Sequence, residues 1–255
     1  MRSRHFVLHF LAVVAVAPSI ARAERMLMIG DSLTCGPFGR QAVENMKTAG
    51  HEVTMFCSSG SAPDHWINGT NPQNQICQTM TSRTMRLEPC APGGAMSKLS
   101  DLLARTPADR VIVALGTNSL PVGKVASVAY QQMAKLVRGK GSCQWLGPPR
   151  LNPSQGIGWS SFRRGSPEDL EASRQRVAQL EANLDPFYIS LSAKVDGVCP
   201  LIDSRSVTAT GPAYETNDGI HRGPVAGRVW ANALRSQIGS SPRRASGRSS
   251  GRGDR

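Results

Sequence analysis

The 255-residue sequence, 40% hydrophobic and 19% charged, is long enough for one folded domain with a sizeable core. Its formal charge of +12 is unevenly spread, with five arginines against a single acid, Asp254, in the last fifteen residues. No stretch beyond the N-terminal leader reaches the roughly 20 consecutive apolar residues a membrane-spanning helix needs.

The chain opens with Arg2 and Arg4, an apolar run from Phe6 to Ala17, and Ala21-Arg22-Ala23, an A-x-A-like cleavage site. Residues 1–23 read as a signal peptide, with a domain over 24–240 and a basic tail over 241–255. The expected location is periplasmic or extracellular, which argues against nucleic acid as the physiological partner of the positive charge. The mature chain is expected to contain no transmembrane segment.

Five apolar runs predict strands: Arg25–Ile29, Glu52–Phe56, Val111–Leu115, Ser142–Leu146 and Cys199–Ile202. Helix-compatible patterns lie between and after them, at Gln41–Ala49, Met96–Arg105, Val125–Val137, Glu168–Leu184 and Pro224–Ile238. Ser166-Pro167-Glu168-Asp169 offers a cap, a proline at the first helical position and acids in the first turn. This alternation predicts a mostly parallel five-stranded sheet covered on both faces, with any site at the carboxyl ends of its strands. Two irregular segments, Ser58–Gly94 and Gly147–Gly165, follow strands and should overhang that end.

The tail has no large apolar side chain to offset the entropy of ordering, so it is expected to be disordered and available to anionic surfaces. It also contains Gly247-Arg248-Ser249-Ser250-Gly251, which spells a nucleophile elbow but has neither the strand before it nor the helix after it that an elbow needs.

All six cysteines (35, 57, 77, 90, 143 and 199) lie beyond the leader, and an even count in an exported chain predicts disulfides. Cys35 and Cys57 follow neighbouring strands, Cys143 and Cys199 begin neighbouring strands, and Cys77 and Cys90 remain to close the loop between. No C-x-x-C spacing is present and only His51, His65 and His221 survive removal of the leader, so no metal site is expected. Asn68-Gly69-Thr70 is an N-glycosylation pattern, relevant only in a host that glycosylates exported proteins.

Chemistry concentrates in three places. Ser32 follows the first predicted strand directly, in Gly30-Asp31-Ser32-Leu33. A nucleophilic serine needs such exposure, a base to take its proton and donors for the developing oxyanion. Asp218-Gly219-Ile220-His221 supplies a carboxylate and an imidazole at turn spacing, so that the acid orients the ring. Gly116-Thr117-Asn118-Ser119 follows the third strand. His65, beside Asp64, is a rival base, and Ser32 alone would also suit a helix cap.

Together these segments resemble the blocks of the SGNH, or GDSL, hydrolases. Gly30–Leu33 is similar to the first block, Gly60 in Ser58-Ser59-Gly60-Ser61 to the second, Gly116–Ser119 to the third and Asp218-x-x-His221 to the fifth. Ser119 stands where an aspartate commonly follows the asparagine, a change that implies altered loop anchoring. The resemblance implies a flavodoxin-like α/β/α sandwich. It makes Ser32 the nucleophile, His221 and Asp218 its partners, and the Ser32 and Gly60 amides with Asn118 the oxyanion hole. It requires no cofactor.

The substrate is less marked. The segment 58–94 is rich in hydroxyl, amide and glycine residues, and Trp66 and Trp159, with His65, are candidate sugar contacts. Trp145 reads as packing. These features favour an O-acetyl or O-acyl ester of an envelope or exported polysaccharide. A lysophospholipase or thioesterase, and a non-catalytic carbohydrate-binding protein of the same fold, stay open.

Overall fold

The computed structural model describes residues 23–72, 75–123, 128–155 and 167–239. Most of the leader, the tail and Trp159 lie outside them, as does most of the irregular segment after residue 155.

Strand β1 (Arg25–Gly30) leads into the one-turn helix α1 (Ser32–Cys35) and then α2 (Pro37–Thr48) and β2 (Glu52–Ser58). A short helix α3 (Pro63–Asn68), strands β3 (Cys77–Thr81) and β4 (Glu88–Pro89) and helix α4 (Leu99–Arg105) precede β5 (Arg110–Ala114). Then come α5 (Ala129–Lys140), β6 (Ser142–Leu146), α6 (Pro167–Ala182), α7 (Leu184–Val195) and β7 (Leu201–Ile202). Helices α8 (Pro224–Ala233) and α9 (Arg235–Gly239) end the domain.

The strands form one sheet in the order β4-β3-β2-β1-β5-β6-β7. The pairings from β2 through β7 are parallel, and β3 and β4 add on antiparallel to the outer side of β2. Alternation of side chains across each strand explains the layers. Leu27, Ile29, Val111 and Val113 point to one face and pack with residues of α3 to α7, among them Trp66, Leu99, Met133, Val177 and Phe187. Met26, Met28, Val53, Met55 and Ile112 point to the other and pack with Phe38, Val43 and Met46 of α2 and Trp230 of α8. The result is a three-layer sandwich whose central strands are buried on both sides, as parallel sheets require.

The sheet has seven strands rather than the expected five. The added pair lies in Ser58–Gly94, where β3 reads Cys-Gln-Thr-Met-Thr. Its two buried apolar residues, Cys77 and Met80, are three apart and give no period-two signal. Register with β2 (Ser58 opposite Cys77, Thr54 opposite Thr81) defines the strand instead.

A second difference is α7, which extends the helical region past the expected end at Leu184. Pro186 falls in its first turn, where a missing N–H leaves nothing unsatisfied.

Three disulfides join Cys35 to Cys57, Cys77 to Cys90 and Cys143 to Cys199. The first fastens the end of α1 to β2, beside the carboxyl ends of the two central strands. No helix of the described residues is long and apolar enough to cross a membrane.

Candidate active site

The carboxyl ends of β1, β2 and β5 bring three loops together. The first is the turn from β1 into α1, which is tight enough that a Cβ on Gly30 would lie 1.9 Å from Thr34 Oγ1. Only glycine permits the helix to fold back on its strand, and that reversal puts Ser32 at the first helical position, half-buried. The cap is Asp31, whose Oδ1 accepts the Leu33 N–H at 3.0 Å, so Ser32 is not spent on capping.

His221 Nε2 lies 2.9 Å from Ser32 Oγ, and His221 Nδ1 lies 2.7 Å from Asp218 Oδ2. The other carboxylate oxygen, Oδ1, accepts the backbone N–H groups of Ile220 (2.9 Å) and His221 (2.6 Å). One oxygen of Asp218 therefore shapes the turn while the other holds the ring. Gly219 makes this turn feasible: its φ is +87°, and a Cβ there would meet Val177 at 2.8 Å. The Gly219 carbonyl accepts the Asn152 N–H, which latches the turn to the segment after β6.

Charge around the imidazole is lopsided. Burial lowers the affinity of His221 for a proton, but the Asp218 hydrogen bond and charge and the Asp31 charge outweigh it and leave the pKa above the ordinary histidine value. Burial also works against the Asp218 carboxylate, yet hydrogen bonds from the His221 ring and backbone hold its pKa below the usual range.

On the third side, Gly116 has φ +147° and its missing Cβ leaves room for Pro148. The following 3-10 turn, Thr117–Val122, presents Asn118, whose Nδ2 donates to the Ser61 carbonyl (3.0 Å) and more weakly to Asp31 Oδ2 (3.4 Å). Ser119, at the position read as a departure in the third block, bonds the Tyr130 hydroxyl at 2.7 Å and is anchored to α5. Gly60 has φ +73° in a turn closed by the Ser61 N–H to the Ser58 carbonyl. Ser61 Oγ then bonds the Gly30 carbonyl and accepts from Trp66 Nε1, tying this loop to β1.

The last two bonds correct one expectation. Trp66 is fully buried and bonded into the scaffold, so it offers no face to a ligand. Trp145 is equally buried, with its indole N–H on the Leu115 carbonyl. His65 stays partly exposed, its Nδ1 accepting the Ala62 N–H at 3.1 Å. Among the described residues no cluster of three histidine, cysteine or acidic side chains is placed to hold a metal ion.

Asp31 was not singled out by the sequence beyond its place beside Ser32. It is buried, and desolvation raises its pKa to about 7, against the Leu33 N–H and the charge of His221. A carboxyl with a raised folded-state pKa stabilises most below its unfolded value, about 3.9, and loses that contribution as the pH rises through the folded value. Asp31→Asn is therefore expected to gain thermal stability relative to wild type, by a few degrees, between pH 4 and pH 8. Parallel unfolding scans across that range check it, and a constant difference would show that Asp31 ionises as readily folded as unfolded.

Comparison with solved structures identifies the architecture. A candidate SGNH hydrolase from Slackia heliotrinireducens superposes with a TM-score of 0.54 at 17% identity, covering 86% of this chain and 100% of that one. A DUF4886 family protein from Bacteroides uniformis superposes with a TM-score of 0.51 at 11% identity, covering 87% and 88%. The chain has the SGNH hydrolase fold. No protein-family model and no curated protein matches it.

Proposed function

We propose that the protein is an exported serine esterase that works through an acyl-enzyme intermediate. The observation that carries this reading is the continuous chain of hydrogen bonds from Ser32 Oγ through both ring nitrogens of His221 to Asp218. His221 takes the Ser32 proton as Oγ attacks the ester carbonyl. The oxyanion is held by the Ser32 and Gly60 amides and Asn118 Nδ2. Collapse expels the alcohol, which receives the proton from His221. Water then attacks the acyl-serine with His221 again as base, releasing the acid and free Ser32.

His221 must be neutral to act as base, so activity is expected to fall as the pH drops through its raised pKa. Labelling by a fluorophosphonate, mapped by mass spectrometry, tests the mechanism: the reading requires the adduct on Ser32 and its loss when His221 is replaced.

For the oxyanion hole, Asn118→Ala is expected to lower kcat about a hundredfold with a smaller change in KM. Steady-state kinetics on an aryl acetate measure this, and an unchanged kcat would remove Asn118 from the hole.

The polar segment 58–94, which supplies the Gly60 turn and α3 beside the site, supports an O-acyl carbohydrate as substrate. Exposed Ile76 and Val122 favour the second reading, a lysophospholipase or thioesterase. Ile76 precedes the residue paired with the end of β2, and Val122 ends the Asn118 turn. Acetyl release from acetylated polysaccharide, set beside rates on aryl esters of increasing chain length, separates the two.

A further inference from the structure

The residue after His221 is an arginine with 3% of its surface exposed. Arg222 donates from Nε to the Ala213 carbonyl at 2.8 Å, from Nη1 to the Ile220 carbonyl at 3.3 Å and from Nη2 to the Arg150 carbonyl at 2.5 Å. Its guanidinium also lies 5.1 Å from the ring centre of Trp230. These contacts join the Asp218–His221 turn to the segment after β6, to the 3-10 turn Gly211–Tyr214 and to α8.

Three carbonyls would be served by a neutral donor at a lower desolvation penalty than a buried cation carries. Among the described residues no carboxylate is within 4 Å of the Arg222 guanidinium. Glu181, whose charge acts on it, is already paired with Arg150 at 2.9 Å. Burial brings the Arg222 pKa down to about 10, which leaves it charged at neutral pH. What a neutral donor would lack is that charge. Asp218 and Asp31 favour a proton on the His221 ring, and Arg222 opposes one.

We infer that Arg222 is a positioning residue for His221: it clamps the Asp218–His221 turn to its neighbours and, through its buried charge, opposes protonation of the imidazole that must act as a base. The inference rests on Ser32 and His221 acting as proposed above.

Two variants separate the clamp from the charge, each assayed as the full chain on 4-nitrophenyl acetate over a range of pH. Arg222→Met removes both. It is expected to lower kcat about tenfold or more and to move the acid limb of kcat/KM to higher pH, by on the order of half a unit. Arg222→Lys keeps a cation but loses the fork that reaches three carbonyls. Its kcat is expected to fall while the limb stays at the wild-type pH.

A folded Arg222→Met enzyme with an unmoved limb overturns the charge role. If near-ultraviolet circular dichroism shows that Arg222→Met does not fold, Arg222→Lys decides alone. A raised limb in that variant overturns the charge role, and a wild-type kcat overturns the clamp. A Ser32→Ala control isolates the premise: full activity there defeats the mechanism itself, whereas its loss beside a wild-type Arg222→Met profile defeats only this inference.

Discussion

Ser32→Ala is expected to reduce kcat on a small aryl ester by roughly four to six powers of ten while leaving the protein folded. Without Oγ no acyl-enzyme forms, and only binding and the oxyanion donors remain to accelerate attack by water. The fold should tolerate the change. Helix α1 is capped by Asp31 rather than by Ser32, and the Oγ makes its hydrogen bond to His221 alone among the described contacts. Kinetics on a preparation from an esterase-free host, with a thermal unfolding scan beside it, provide the check. Near-normal turnover in such a preparation would sink the proposed mechanism.

Asp218→Asn is expected to cost about four powers of ten in kcat, although almost every contact of the turn survives it. An asparagine keeps a carbonyl oxygen for the Ile220 and His221 backbone N–H groups. Toward His221 Nδ1, however, it presents an N–H where the carboxylate presented an acceptor. The ring must then carry its proton on Nε2, facing Ser32 Oγ, and cannot take another from it. Steady-state kinetics with nitrogen-15 spectra of the imidazole measure both effects together. An active variant with the proton still on Nδ1 would mean that Asp218 does not set the tautomer. Stability gives a second reading. Because the Asp218 pKa is depressed in the fold, its contribution is present above the unfolded value near 3.9 and lost as the pH falls through the folded one. The wild-type advantage over Asp218→Asn should therefore shrink in acid.

The parts of the fold that follow one rule at a time are visible in the sequence. Buried parallel strands such as Met26–Ile29 and Val111–Val113 are continuous apolar runs, and each is followed by an amphipathic helix. The segments that meet at the site were marked by their motifs, around Ser32, Asn118 and the Asp218–His221 pair, and each contains a glycine, Gly30, Gly116 or Gly219, that stands where a Cβ would collide with a neighbour. What escapes the sequence depends on distant partners. Strand β5 begins at Arg110, a residue that would ordinarily end a buried run. It is internal because its guanidinium meets Glu24 at 2.6 Å and the Ile238 carbonyl at 3.0 Å. Strand β3 is polar and is defined by its ladder with β2. Trp66 looked free to meet a sugar because nothing in its neighbourhood reveals the Ser61 hydroxyl that accepts its indole N–H. Arg222 gave no signal at all, since a charged residue beside a surface turn is the usual arrangement.

The disulfide pattern has a consequence for how the protein is made. The cysteines pair off consecutively along the chain: 35 with 57, 77 with 90 and 143 with 199. Six cysteines admit 15 complete pairings, and this is the one obtained when thiols are oxidised two at a time in order of appearance. A chain entering an oxidising compartment from its N-terminus presents Cys35 and Cys57 before any competitor, then Cys77 with Cys90, then the last two. A fast, indiscriminate oxidant acting during entry is then sufficient for the native set, with no isomerase to correct it. Oxidation of the complete unfolded chain removes that ordering, and short-range mispairs such as Cys57 with Cys77 become competitive. For an exported chain, the yield of correctly bridged protein is therefore expected to be higher when oxidation accompanies delivery than when it follows.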